Sequence, residues 1–352
     1  MKIKKVLYFL FAGITVLLFA QCGSMRSVGI NSMRPAEITF PSYVNTLLLV
    51  DRTKFESNAV NIIEGVLTGE MPGADKAAAQ EALGSLQQTL MESPRFKVIR
   101  ASETLKGNSI TQAFPDAIPW NVIEGLCSQY KTEAVVALEI FDSNFIVTKG
   151  QRVKKKQVEE NGVKKEVDVD EFYAEGVAKI KIGMRLYDPK PKSIVDQQLF
   201  TKTKKWEATG NSITDAIVKL IQRNDATMQV SRMAGSDYAY KIAPMPVRLS
   251  RQYYGKGKKA IQVAAGARRA EVNDWQGALS TWEGAMNGAI QKDAARLSYN
   301  IAVANEVLGN TADAKNWASR SYVDYGNKKA KSYLYMIENR LRDEELSDRQ
   351  MK

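Results

Sequence analysis

Apolar and polar positions follow different periods in successive stretches of the chain, and each period predicts a different element. An apolar run from Val6 to Ala20, interrupted only by Gly13 and Thr15, follows Lys2, Lys4 and Lys5. A basic start and an apolar run of this length predict a signal peptide, shorter than the roughly 20 residues of a membrane-spanning helix. Residues 23–40 carry few clustered apolar positions and read as a tether. Thr46 to Arg52 is a short strand apolar on both faces, and Asn58 to Leu67 a short helix. Ala82, Leu83, Leu86, Leu90 and Met91 recur at helical spacing behind Asp75, a capping residue type, and Ser93-Pro94 stops that helix. Phe96–Arg100 reads as a strand, Trp120–Tyr130 as a helix and Ala134–Phe141 as another strand, the rhythm of a βαβ layer.

A charged hairpin follows. Its arms, 151–158 and 163–169, flank Glu159-Glu160-Asn161-Gly162, and Asn-Gly supplies the positive φ of a tight turn. The arms are rich in Lys, Glu and Asp, so the hairpin is expected to project into solvent. Residues 177–187 alternate strictly: Ala178, Ile180, Ile182, Met184 and Leu186 point one way, Lys179, Lys181 and Arg185 the other. That is a half-buried antiparallel strand, with 194–206 returning beside it. Asn211 or Ser212 caps a helix from Ile213 to about Ala226, continuing toward Ala239. The tyrosine-rich stretch from Ala234 to Pro244, with Arg251–Tyr254, reads as a bridge covering a domain junction; ligand stacking is the less favoured alternative. From Lys259 the pattern is helical. Gly266 and Ala302 are 36 positions apart, as are Ala278 and Ala314, and a last helix from Lys328 to Leu346 caps the array before a charged end that is expected to fray.

Composition narrows the chemistry. The net charge is +11; cleavage before Cys22 removes three lysines and no acid, leaving +8. Export makes nucleic acid a poor partner, and a solvated lysine-rich surface accounts for the charge. Histidine is absent, which removes Ser-His-Asp triads, Cys-His dyads and His-containing zinc sites. No EF-hand-like loop is present, so no metal and no cofactor is expected, and no catalytic residue is assigned. With Cys22 acylated, Cys127 has no partner for a disulfide and reads as a buried small hydrophobe.

Leu18-Phe19-Ala20-Gln21-Cys22 resembles a bacterial lipobox. The resemblance implies that Cys22 is acylated with palmitate-type chains and anchors the protein to membrane lipid. Gly23 after the cysteine points to the outer membrane, and the absence of acids from Gly23 to Val28 to its periplasmic face. The 36-residue repeat resembles the tetratricopeptide repeat, whose usual period is 34. That resemblance implies a peptide groove including Arg296, Tyr299, Asn300, Val303 and Glu306, with Asn300 holding a peptide backbone; packing against the α/β domain is at least as strong an alternative. The lipobox, Arg34-Pro35-Ala36, Ala234–Ala239, Arg251–Tyr254 and the repeats together resemble a Bacteroidota lipoprotein family of unknown function. The first domain is similar to the α/β modules of the TolB amino-terminal domain and the curli-secretion lipoprotein.

The expected fold is therefore α+β followed by an all-α repeat domain. Its parts are a signal peptide at 1–21, a tether at 22–41, an α/β domain at 42–254 with the hairpin 151–169, and repeats at 255–352. The expected function is a non-enzymatic envelope adaptor that binds lipid through Cys22 and a protein through its repeats. One alternative is a secretion or pore component. Another is a glycan-acting enzyme using carboxylates such as Asp51, Glu139 and Asp142.

Overall fold

The computed structural model describes residues 25–54, 74–107, 113–160 and 163–352. The signal peptide, Cys22, the helix expected at 58–67 and the Asn161-Gly162 turn lie outside the described residues. The described residues fall into two compact units: those within 36–245 with 350–352, and 25–35 with 246–349.

The first unit is mixed α/β. Its strands are β2 (Thr46–Lys54), β3 (Lys97–Lys106), β4 (Ala134–Glu160), β5 (Val163–Asp188) and β6 (Ser193–Gly210). They form one sheet in the order β3-β2-β4-β5-β6. The first three run parallel, whereas β4-β5 and β5-β6 are antiparallel. Helix α1 (Ala74–Leu90) links β2 to β3, and α2 (Trp120–Tyr130) links β3 to β4, as parallel pairing requires of its connections. Helices α3 (Ile213–Lys219) and α4 (Arg223–Ile242) follow β6.

Strand β2 is apolar on both faces because both faces are covered. Leu47 and Leu49 join Leu83 and Leu86 of α1 and Val230 of α4 in one core. Leu48 and Val50 join Ile123 and Leu126 of α2 in another. The alternation in β5 has the same origin: Ala178, Ile180, Ile182, Met184 and Leu186 are all buried in the α1/α4 core. Cys127 sits in the α2 core, where burial pushes its thiol up.

Several local expectations need correction. Asp75 lies inside the first turn of α1 rather than capping it, and accepts a hydrogen bond from Ser143 Oγ. Of the two capping candidates Ser212 caps α3, its Oγ accepting from the Asp215 amide at 3.1 Å, but the helix expected to run on to about Ala226 stops at Lys219 and a separate one starts at Arg223. The 234–244 stretch is mostly helix α4, not a junction bridge. A Cβ on Gly235 would come within 2.1 Å of the Ala82 carbonyl oxygen, so this glycine lets α4 lie against α1. Tyr238 is buried, stacks on Phe200 at 6.2 Å and donates to Asp196 at 2.9 Å; its ring is committed to the core rather than free to stack on a ligand.

Among the described residues, the second unit holds a two-stranded sheet and five helices. Residues 25–34, expected as tether, form β1 (Met25–Arg34), paired with β7 (Met245–Tyr254). The helices are α5 (Ile261–Glu271), α6 (Trp275–Gly284), α7 (Gln291–Val307), α8 (Thr311–Val323) and α9 (Lys328–Gln350). The charged end does not fray: α9 runs to Gln350, with Ser347 and Gln350 buried. The 36-residue repeat appears in the backbone. Asn273 at φ 64° and Gly309 at φ 86° make equivalent left-handed turns, and Asp274 and Asn310 are the next helix N-caps. Between α5 and α6, a Cβ on Gly266 would fall 2.3 Å from Trp282 Nε1. The indole is fully buried there and donates to the Val263 carbonyl at 3.2 Å.

Candidate functional site

The residues expected to line a peptide groove come together, and an extended segment does run along them. That segment is the chain's own β7 and the residues just after it. Asn300 is fully buried; its Oδ1 accepts from the Tyr254 amide at 2.7 Å, and its Nδ2 donates to the Tyr254 carbonyl at 2.8 Å. An asparagine amide matches the N–H and C=O of one extended residue in this way because it offers one acceptor and two donors in a plane. Tyr299 meets the Tyr254 ring edge-on at 5.4 Å, and Arg296 lies over the same ring at 5.2 Å while donating to the Lys256 carbonyl at 2.7 Å. Val303 is buried in the same core as Tyr253. The open groove of the sequence reading is thus corrected: Tyr299, Asn300, Val303 and Glu306 are buried, and Arg296 is half-buried.

Glu306 anchors the other end of the segment. It is fully buried and receives Arg251 Nε at 2.8 Å, Arg251 Nη2 at 2.8 Å, Arg340 Nη1 at 3.1 Å and Tyr333 Oη at 2.7 Å. A buried carboxylate is tolerated when its lone pairs are all taken by charged or hydroxyl donors. Burial, together with the charge of Glu306, holds the Tyr333 hydroxyl well above its ordinary range. Arg340 is balanced in turn by Glu344 at 2.6 Å. Sequence reasoning missed Arg340 and Tyr333, which lie on the capping helix, although Arg251 stood in a motif it had noted.

Asp293, in the first turn of α7, was also missed. Its carboxylate accepts from the amides of Lys258, Lys259 and Ala260 at 2.5, 2.7 and 2.8 Å, tying down the turn that leads into α5. Burial alone would push this carboxyl up. The three amide bonds and Arg296 outweigh it and hold the group below the ordinary carboxylate range.

In the sheet unit the three carboxylates considered for catalysis do not converge. Asp51 faces α1, accepting from Thr53 N at 2.8 Å, Thr53 Oγ1 at 2.6 Å and Gln80 Nε2. Glu139 faces the α2 side, where it accepts from Tyr187 Oη at 2.5 Å and Arg185 Nη1 at 2.8 Å, with Arg52 Nη1 at 3.4 Å. The two arginines also hold the loop before α2, donating to the carbonyls of Pro115 at 3.2 Å and Asp116 at 2.6 Å. Asp142 is half-buried opposite Lys181; burial pushes its carboxyl up, against the pull of Lys181 and Lys179. Asp51 and Glu139 thus each serve local structural bonds, on opposite faces of the sheet.

An open depression of about 340 Å³ is lined by Tyr43, Glu124, Cys127, Glu133, Pro189 and Lys190. Its polar groups are engaged: Tyr43 Oη donates to Asp188 at 2.5 Å, and Glu133 accepts from the Thr46 amide at 2.6 Å. The Asp188 bond, with burial, raises the Tyr43 hydroxyl to about 12. Among the described residues, no group of three or more acids and cysteines is placed to hold a metal ion, and no helix is long and apolar enough to cross a membrane.

Comparisons with known proteins add the following. A neuraminyllactose-binding hemagglutinin homolog from Helicobacter pylori aligns over 57% of this chain and 82% of its own, at 14% identity and a TM-score of 0.26. The hypothetical protein CT253 from Chlamydia trachomatis aligns over 56% and 98%, at 12% identity and a TM-score of 0.24. A minor lipoprotein from Acinetobacter baumannii aligns over 56% and 87%, at 8% identity and a TM-score of 0.19. Superpositions this loose leave function to be argued from the chain itself. No curated protein matches the sequence. Residues 264–340 match a second profile, described as Domain of unknown function (DUF6340). The profile described as Domain of unknown function (DUF8603) matches residues 44–254, more than half of the chain, and the protein belongs to that family.

Proposed function

We propose that this protein is a lipid-anchored, non-enzymatic adaptor of the bacterial cell envelope, held at the periplasmic face of the outer membrane through acylated Cys22. The observation that carries the non-enzymatic part is the commitment of its buried polar groups. Asp51, Glu139, Asp293, Asn300 and Glu306 all spend their hydrogen-bonding capacity inside the fold. The lipobox-like Leu18–Cys22 behind a signal-peptide pattern supports the anchor. Acyl chains contribute about 0.8 kcal/mol per buried methylene, so two or three of them hold a soluble body stably.

The helical unit is tetratricopeptide-like in this reading, with two helix pairs of 36-residue period and a capping helix. Its inner face is filled by β7, so the protein partner meets other surfaces of the chain. The experiment has two arms. Cys22→Ser should move the protein from the membrane fraction to the soluble envelope fraction. Crosslinking in intact cells, then solubilisation and purification of the full chain, should recover a partner protein at fixed stoichiometry. A Cys22→Ser variant that stays in the membrane refutes the anchor, and recovery of the chain alone at every crosslinker dose refutes the adaptor.

A further inference from the structure

The β4–β5 ribbon outruns the rest of its sheet. Strand β6 ends at Gly210, opposite Phe172, and from there the register carries β4 and β5 on alone to Glu160 and Val163. That leaves about ten residues in each arm, roughly 30 Å at 3.3–3.4 Å per residue. Composition alone suggests a uniformly charged, solvated hairpin. The register shows otherwise, because side chains directly opposite each other share a face and successive ones alternate.

On one face Lys154 stands opposite Val169, Lys156 opposite Val167, and Val158 opposite Lys165. Arg152, at the base of this face, is committed to Glu171 at 2.6 Å and Glu207 at 2.5 Å, and Lys154, 61% exposed, also reaches Glu171 at 3.1 Å, an exposed pair of the kind that contributes little. The other face carries Glu159, Glu166, Asp168 and Asp170 against Lys155 and Lys164, with Val153 as its apolar residue. The ribbon is therefore amphipathic in charge: one face is cationic and apolar, the other net acidic. Val158, Val167 and Val169 remain 41%, 39% and 40% exposed.

We infer that the Lys/Val face of this ribbon is a docking surface for anionic phospholipid. A flat row of valines between long lysine stems suits the interface, where alkyl stems lie along the apolar boundary and ammonium groups stay at phosphate level. Lysine acts as a point charge, suited to a diffuse anionic surface, whereas a specific anion pocket favours the arginine fork. The arginine here is already paired, and beyond Tyr173 at its base the face has no aromatic ring of the kind that anchors protein interfaces. The acidic opposite face would be repelled by the same surface, so the ribbon can lie down in one orientation only. The contact is peripheral, since a strand spanning lipid would need apolar residues along its whole outward face. This inference does not depend on acylation of Cys22.

The test uses the chain from Gly23 onward, which retains every described residue and lacks the apolar leader. Flotation with phosphatidylglycerol–phosphatidylcholine vesicles should carry the protein up, pure phosphatidylcholine should not, and high salt should release it. At about 1 kcal/mol for each basic residue near the surface, and 1.4 kcal/mol per tenfold, the triple variant K154E/K156E/K165E should lose about 100-fold in partitioning. The opposite-face variant K155E/K164E should stay within about threefold of the parent by the same reckoning. Emission from a tryptophan introduced by Val158→Trp should shift to the blue on anionic vesicles, and from Gln157→Trp it should not. Matching circular dichroism and thermal melts establish that each variant folds. Absence of flotation with anionic vesicles overturns the inference. So does equal loss from both faces, which marks net charge alone, or an acidic protein that binds the ribbon when vesicles do not.

Discussion

Replacing Asn300 by alanine removes both side-chain hydrogen bonds to the Tyr254 backbone, without adding bulk. The Tyr254 amide and carbonyl lose partners at 2.7 and 2.8 Å at a fully buried side chain. A buried donor or acceptor left unsatisfied costs about 1–3 kcal/mol. Tyr254 is itself only partly buried, so the two groups together should cost about 2–4 kcal/mol. The loss falls on the helical unit, and a single global transition cannot be assumed for a chain of two units. Trp120 and Trp206 belong to the sheet unit, whereas Trp275, Trp282 and Trp317 belong to the helical core. In a Trp120→Phe, Trp206→Phe background, urea denaturation followed by fluorescence therefore reports the helical unit alone. With a slope of about 1–3 kcal/mol per molar, the midpoint should fall by roughly 1–2 M. Hydrogen exchange at the Tyr254 amide should accelerate in parallel. A midpoint shift corresponding to less than about 0.5 kcal/mol, with that amide still protected, would refute the claim that Asn300 clamps β7.

Other outcomes follow from the same structure. Glu306→Gln strands Arg251 and Arg340 without their shared carboxylate and should cost about 3–5 kcal/mol; replacing the whole cluster, Arg251→Met, Glu306→Leu, Tyr333→Phe and Arg340→Met together, should cost clearly less in the same urea assay. Asp293→Asn should destabilise the helical unit by about 2–3 kcal/mol near neutral pH, through weakened bonds to three amides. Because the Asp293 carboxyl is depressed in the fold, its contribution is complete above the ordinary carboxylate value of about 4 and fades as pH falls through its lower folded value. The gap between parent and Asp293→Asn should therefore close on acidification, and a gap independent of pH would contradict the assignment. Gly266→Val should disrupt α5–α6 packing against Trp282 and lower the fluorescence midpoint, whereas Gly284→Ala, where an added Cβ meets open space, should leave it unchanged.

The legible parts of the fold were those whose signal is local. Leu47–Val50 announced two covered faces, the alternation from Ala178 to Leu186 announced one, and Trp120–Tyr130 had the observed bounds. The 36-residue spacing was legible because equivalent turns need equivalent residues, Asn273 and Gly309 at positive φ. What escaped depends on distant partners. Residues 25–34 are polar enough to read as tether, and become a strand because β7, over 200 residues away, supplies the ladder. Ala234–Pro244 reads as a bridge over a junction, yet Gly235 marks where α4 meets the Ala82 backbone. Glu306 reads as a residue of an open groove until Arg251 and Arg340 arrive from 55 and 34 positions away. The residues expected to line an open groove do come together, but no local pattern told that Tyr254 of the same chain would cover them. The two faces of the charged hairpin were hidden for a related reason, since only the pairing of β4 with β5 sorts its lysines from its acids.

The most direct test of the functional account is the chemical state of the amino terminus in protein purified from native membranes. Mass spectrometry of the N-terminal peptide should find it beginning at Cys22, heavier by a diacylglyceryl group on sulfur and an acyl group on nitrogen. A peptide that begins elsewhere, or a Cys22 that carries a free thiol, would contradict the anchored adaptor.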